Sequence, residues 1–166
     1  MGAVGAATTV EPGGQPLGVP ELARDASELR LSEFVARHGR WFLVRQADPD
    51  DPASAGKATI LPIRSPGGAG GATALSIGSD PACDIVLADP EVAAMHARLF
   101  DAHEPLAWPT LHVECPSANH AVRVDQLDVA AGGRAQLFNG TRLRLGPCEL
   151  DVVSALAMRA WLRRYA

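Results

Sequence analysis

The sequence predicts an all-β protein, a sandwich or barrel of short strands with a short helical segment before it and one helix after it. Three observations lead there. Beyond residue 72 the chain is a series of β-prone runs, TALSI, DIVLA, HARLF, TLHVE, AVRV, RAQLF, TRLRL and CELDVV, each about four to six residues long and bounded by Gly, Pro, Asp or Asn. These runs follow one another without the helical patterns that βαβ units need between their strands. In TRLRLG the residues alternate, with Leu143 and Leu145 on one face and Arg142 and Arg144 on the other, so that strand has a core side and a wet side.

Taken in chain order, residues 1–19 are rich in Gly, Ala, Thr and Pro without periodicity and are expected to be a disordered tail. Residues 20–40 carry apolar Leu22, Leu29, Leu31, Phe34 and Val35, with Ser32 placed to cap a short helix and Gly39 to end it. WFLVR, from Trp41, and KATILPI, to Ile63, are β-rich runs joined by an Asp-, Pro- and Gly-rich loop, which predicts a long-loop hairpin. A second glycine-rich break, SPGGAGG, precedes the main series of strands. At the end, residues 154–166 predict a helix capped by Ser154, with Met158, Trp161, Leu162 and Tyr165 as one apolar stripe. Its late arginines, Arg159 and Arg163, suit the negative end of the helix dipole.

Composition narrows the function. A chain of 166 residues is long enough for one domain with a sizeable core, and with 5% aromatics that core is mainly aliphatic. The net charge of -4 argues against a phosphate-backbone binder, so no nucleic acid is expected as partner. No apolar run reaches the roughly 18 residues of a membrane span, and the N-terminus lacks the order of a secretory signal. Cys83, Cys115 and Cys148 form no C-x-x-C pair, which suits a reduced, cytoplasmic protein with no membrane partner.

The turns between the strands carry a more specific pattern. The segment LSIGSDPACDIVLADPEVAAMHARLF resembles the first half of a forkhead-associated (FHA) domain, through Ile77-Gly78, Asp84-Ile85-Val86-Leu87, Val92 and His96-Ala97. Downstream, Trp108, Leu111, Ser117, Asn119 and Val124 match the family's next block, and Leu137, Gly140, Leu143, Leu145, Gly146 and Leu150 match the last. FVARHGRWFLVR and the final WLRRY are similar to bacterial single-domain FHA proteins. The resemblance implies an FHA-type (SMAD/FHA) two-sheet β-sandwich over residues 41–153, with its motif core at 73–153, and a protein or peptide ligand.

The resemblance also implies a site. FHA domains bind phosphothreonine peptides on loops at one end of the sandwich, chiefly through an arginine after I-G, a serine before the family histidine, and an asparagine. Here the equivalent positions are Gly78, Ser79, Ala93, His96, Ser117, Asn119 and His120. Ser79 replaces the arginine and Ala93 the serine; Asn119 alone remains. Between Gly78 and His96 the only charges are Asp80, Asp84, Asp89 and Glu91, which would repel a phosphate. The expectation is therefore an interaction module that works without phosphate, in which His96 braces the loops. Residual phosphothreonine binding in kinase signalling is the alternative.

Other chemistries find less support. No G-x-S-x-G, H-E-x-x-H or phosphate-cradling loop with a following Lys is present, so no catalytic residue and no cofactor is expected. Cys83, His96, Cys115 and His120 all fall near the loops and form the one metal set the resemblance would gather, but zinc requires a closed tetrahedral set and no metal is expected. His38 and His103 stand in polar contexts and are expected to be exposed. Arg142 and Arg144, joined by Arg123 and Arg134, form a candidate contact face. Asn139-Gly140-Thr141 reads as a turn, not as a glycosylation site.

Overall fold

The computed structural model describes residues 18–46, 58–64, 73–102 and 110–164. Two helices, α1 (Val19–Glu28) and α2 (Leu31–His38), lead into β1 (Trp41–Arg45) and β2 (Thr59–Ile63). The main series follows as β3 (Thr73–Gly78), β4 (Ile85–Val86), β5 (Ala97–Ala102), β6 (Thr110–Glu114), β7 (Val122–Val124), β8 (Leu127–Asp128), β9 (Arg134–Leu137), β10 (Arg142–Leu145) and β11 (Cys148–Ser154), and α3 (Ala155–Leu162) closes the chain. The strands form two sheets, in the orders β2-β1-β11-β10-β7-β8 and β4-β3-β5-β6-β9. This is the two-sheet sandwich that the turn pattern predicts, with β1 and β2 antiparallel neighbours as the hairpin requires.

Alternation sets the core. Leu43, Leu61, Ile77, Leu99, Leu111, Val113, Leu143, Leu145, Leu150 and Val152 face inward from both sheets and pack as one mainly aliphatic cluster. On the outer side of β1 and β2, Phe42, Val44 and Ile60 meet Leu22, Ala26 and Phe34 of the leading helices and Ala155, Met158 and Leu162 of α3. The helices thus bury a second cluster against the sheet.

Ser154 accepts a hydrogen bond from Ala157 N at 3.3 Å, as an N-cap does. The stripe on α3 differs from the prediction: Ala155, Met158 and Leu162 are buried, whereas Trp161 is 37% exposed. Leu162 and Ala155 complete the inward face because they lie one turn either side of Met158; Tyr165 lies outside the described residues. Arg159 and Arg163 serve a neighbour and not their own helix. Arg159 donates to Leu29 O at 2.6 Å and 3.2 Å, and Arg163 to Ala26 O at 3.1 Å, satisfying carbonyls at the end of α1.

Two further expectations are corrected around α2. Arg30, not Ser32, is the N-cap residue, because Glu33 reaches back to Arg30 N at 2.9 Å and pairs with its guanidinium; Gly39 ends the helix at φ 98°. His38 is 4% exposed and not solvated. Its Nε2 lies 2.8 Å from Asp25 Oδ2, and Asp25 also accepts Arg37 at 3.2 Å, so the pair ties α1 to α2. Burial and the nearby Arg37 and Arg64 push the His38 pKa down against the pull of Asp25, with burial the largest effect.

The arginine face is also redrawn. Arg123, Arg142 and Arg144 share the outer face of one sheet, but each faces a carboxylate: Arg123 with Asp128 at 2.9 Å, Arg142 with Asp151 at 3.4 Å, and Arg144 with Glu149 at 4.0 Å. Arg134 is on the other sheet, where it pairs with Glu114 at 2.8 Å and covers the Phe100 ring at 3.9 Å.

Candidate functional site

The two ends of the sandwich are distinguished by β11. It starts at Cys148, just after the turn at Gly146, and ends at Ser154, which pairs with Trp41, a run of about 20 Å. The predicted site residues belong to the Gly146 end. There the loops after β3, before β5 and before β7 meet, and backbone contacts hold them.

Gly78 explains the junction. A Cβ at this position would lie 2.2 Å from Ala94 O and 2.8 Å from Ala93 O, so the residue is glycine because another backbone crosses it. No positive φ is involved, since Gly78 is not among the residues with that backbone angle. Around the crossing, Ser79 N donates to Ala93 O at 2.9 Å, Asp80 N to Ala94 O at 3.1 Å, and His96 N to Ile77 O at 2.9 Å. The Cys83 thiol adds a bond to Ala94 O at 3.1 Å, and burial pushes its pKa up.

His96, 2% exposed, fastens the next loop. Ala93 N donates to its Nδ1 at 3.1 Å, and its Nε2 reaches Ala121 O at 2.8 Å. An amide can donate only to an unprotonated nitrogen and a carbonyl can accept only from a protonated one, so these partners fix the neutral Nε2–H tautomer. Gly146 N donates to the same Ala121 O at 3.1 Å, joining the turn before β11 to the group. His120 stacks obliquely on His96 with ring centroids 5.4 Å apart. Ser117 accepts Asn119 N on its Oγ at 3.2 Å, which shapes the turn that leaves Asn119 exposed.

The carboxylates are less free than the sequence implied. Asp84 turns away from the loops, accepting Ser76 N at 2.7 Å and Ser76 Oγ at 2.8 Å, so its partner is the neighbouring strand and not its own turn. Asp80 accepts Ala82 N at 2.8 Å, and Asp89 accepts Glu91 N at 3.0 Å and pairs with Arg45 at 3.2 Å. Glu91 is exposed.

Two cations near this end come from the other sheet: Arg45, which the sequence does not single out, and Arg144, which it places only in the arginine face. Arg45, at the end of β1, is held by Asp89, and Arg144 donates to Gly146 O at 3.1 Å. Both were visible as strand-end arginines, but only the pairing of strands brings them to the loops. The structure therefore brings together Gly78, Ser79, Ala93, His96 and His120, with Ser117 and Asn119 on the adjoining turn. Among the described residues, no three His, Cys, Asp or Glu side chains converge as a metal would need. Cys115 bonds instead to Ser117 O at 3.3 Å and His120 O at 3.4 Å. Trp108 and His103 lie outside the described residues. Among the described residues no helix is long and apolar enough to cross a membrane.

Comparison with known proteins gives a consistent result. Residues 75–146 match the sequence model of the FHA domain. No curated protein matches the chain. Among solved structures, the yeast Dun1 FHA domain, in complex with a doubly phosphorylated peptide derived from Rad53, is 20% identical, with 70% of this chain and 74% of that chain covered and a TM-score of 0.55. The FHA domain of the Chlamydia trachomatis protein CT664 is 20% identical over 69% of this chain and 96% of that one, with a TM-score of 0.53. The MEK1 FHA domain in complex with a phosphothreonine peptide of HOP1 is 14% identical, covers 69% and 96%, and has a TM-score of 0.51. At these identities the likeness establishes the fold.

Proposed function

Given that the chain carries an FHA domain over residues 75–146, we propose that it is a protein-interaction module whose loop end recognises a protein or peptide without needing a phosphate on it. FHA domains are phosphopeptide-binding interaction modules, not enzymes, and nothing in the loop chemistry argues for catalysis here. The contact surface in this reading is formed by Gly78, Ser79, Ala93, His96, Ser117, Asn119 and His120. The working unit is residues 41–153, with the flanking helices packed on its outer face.

One observation carries the reading: Ser79 and Ala93 occupy the places from which the family's arginine and serine would grip a phosphate, and the loops between Gly78 and His96 contain no Lys or Arg. Each charge-assisted donor contributes about 1.5–3 kcal/mol, so losing both costs about 3–6 kcal/mol. A micromolar complex, near about -8 kcal/mol, weakens at least about a hundredfold, to roughly 0.1 mM or beyond. His96 offers no remedy, because protonation of its Nδ1 would break the bond from Ala93 N and set two donors against each other.

The experiment is a titration of phosphothreonine peptides and their unphosphorylated counterparts against the protein. Equal binding, or binding of the unphosphorylated peptide alone, is expected. Micromolar binding that disappears with the phosphate would sink the reading. One observation favours a second reading, residual phosphothreonine binding: Arg144 reaches the Gly146 turn and is about half exposed. In that case Arg144→Gln would abolish whatever phosphate-dependent binding the titration finds.

A further inference from the structure

Of the eight residues of α2, only Phe34 and His38 are buried. Phe34 packs on Phe42 of β1 with ring centroids 6.0 Å apart, and His38 lies against Phe34 at 4.9 Å. Leu31 and Val35 are half-buried at the margin of the same cluster. The helix therefore rests on two side chains. One of them is also tied to α1, through the 2.8 Å bond between His38 Nε2 and Asp25 Oδ2.

Charges around this bond do not balance. Buried Asp25 already receives Arg37 of α2 at 3.2 Å, with Arg24 of its own helix at 3.9 Å. Arg64, just past the end of β2, is near enough to act on His38. From α3, Arg159 and Arg163 turn instead to the carbonyls of Leu29 and Ala26. Three guanidinium groups thus attend one carboxylate while His38 is neutral, and a proton on the ring adds a fourth cation. Asp25 attracts that proton, but burial above all, and then Arg64 and Arg37, oppose it. A charge held in a buried ring is poorly screened, so the opposition is felt in full.

We propose that the His38–Asp25 bond is an acid-sensitive latch: protonation of His38 releases α2 from α1 and from β1, baring the outer face of β1 around Phe42 while the sandwich stays folded. The neutral ring donates its Nε2–H to Asp25 and lies against Phe34. The imidazolium is better solvated by water, which it reaches when α2 lifts. Such an opening needs less free energy than global unfolding, because the cluster under the helices is separate from the cluster between the sheets. The latch shares no residue with the loop end and stands apart from the recognition proposed there.

The test is native-state hydrogen exchange of the full chain from about pH 7.5 down to about pH 5, the range in which histidines titrate. Amides of α2, such as that of Gly39, which donates to Val35 O, are compared with those of Leu99 and Val113 in the paired core strands. The α2 amides are expected to be less protected than the core at every pH. Below about pH 6.5 the opened segment holds the proton and the closed one does not. Corrected for intrinsic rates, α2 protection then falls about tenfold per pH unit until the folded value is passed. His38→Gln keeps an N–H for Asp25 and takes up no proton, so its α2 protection is expected to be independent of pH. Arg64→Gln removes one opposing cation and is expected to narrow the pH range of the loss. The latch is overturned by α2 protection that is flat with pH in the native protein, or by α2 amides that exchange only together with the core. A pH dependence that persists in His38→Gln, or an unchanged range in Arg64→Gln, overturns it equally.

Discussion

Replacing Gly78 with alanine tests whether the loops proposed for recognition are held by the backbone crossing. The added methyl would sit 2.2 Å from Ala94 O, 2.7 Å from Ala94 C and 2.8 Å from Ala93 O, all backbone atoms that no side-chain rotation can move. Overpacking of this kind costs about 1–3 kcal/mol. Displacing residues 93–94 also breaks the bonds from Ser79 N and Asp80 N, at about 1 kcal/mol each. The sum is about 3–5 kcal/mol, a large part of the roughly 5–15 kcal/mol of a whole domain. At about 2–4 °C per kcal/mol for a chain of this size, Tm falls by roughly 6–20 °C. Gly140→Ala provides the control: a Cβ there meets nothing within 4 Å, and only its φ of 87° opposes the change, so about 1–2 kcal/mol is expected. Thermal unfolding followed by circular dichroism compares the two. If Gly78→Ala proves no worse than Gly140→Ala, the crossing does not fix the loops.

Other perturbations follow from the same structure. Ser79→Arg with Ala93→Ser rebuilds the phosphate grip, and isothermal titration should then find phosphothreonine peptides bound about a thousandfold more tightly than by the native protein; no gain would mean that the loops are shaped wrongly for a phosphate. His38 has its pKa depressed in the fold, so the unfolded chain takes up the proton first. Its contribution to stability is complete above about pH 6.5 and is lost as pH falls through the folded value. Urea midpoints at several pH values should fall on acidification, and His38→Gln should remove part of that slope; parallel curves would contradict the assignment. Arg159→Met deletes the bonds to Leu29 O and should cost about 1–2 kcal/mol, allowing for partial exposure. Hydrogen exchange should quicken first in α1, and uniform acceleration would argue against a local tether.

The fold was legible because its signals are local. Turn residues bound each strand, and alternation in TRLRL orients one of them, so the chain's own neighbours report most of the architecture. The loop positions were legible for a related reason, since Ile77-Gly78 and His96-Ala97 sit at strand ends whose spacing is short. What escaped depends on distant partners. His38 stands among polar neighbours, and only the packing of α1 brings Asp25, thirteen residues earlier, onto its ring. Trp161 and Leu162 both fit a helical stripe begun at Met158, and the sheet beneath decides between them. Arg45 and Arg144 belong to strands whose sequence gives no hint that pairing with β11 carries them to the loops. Asp84 counts in the sequence as one more loop carboxylate, yet it bonds to Ser76 on the adjacent strand.

The neutral bolt formed by His96 has a kinetic consequence. Its two ring nitrogens, the crossing at Gly78 and the shared Ala121 carbonyl hold the proposed contact surface in one arrangement. A surface assembled in advance docks as a rigid body, with little ordering cost at the encounter. Partners of differing affinity should then associate at similar rates and differ chiefly in how long they stay.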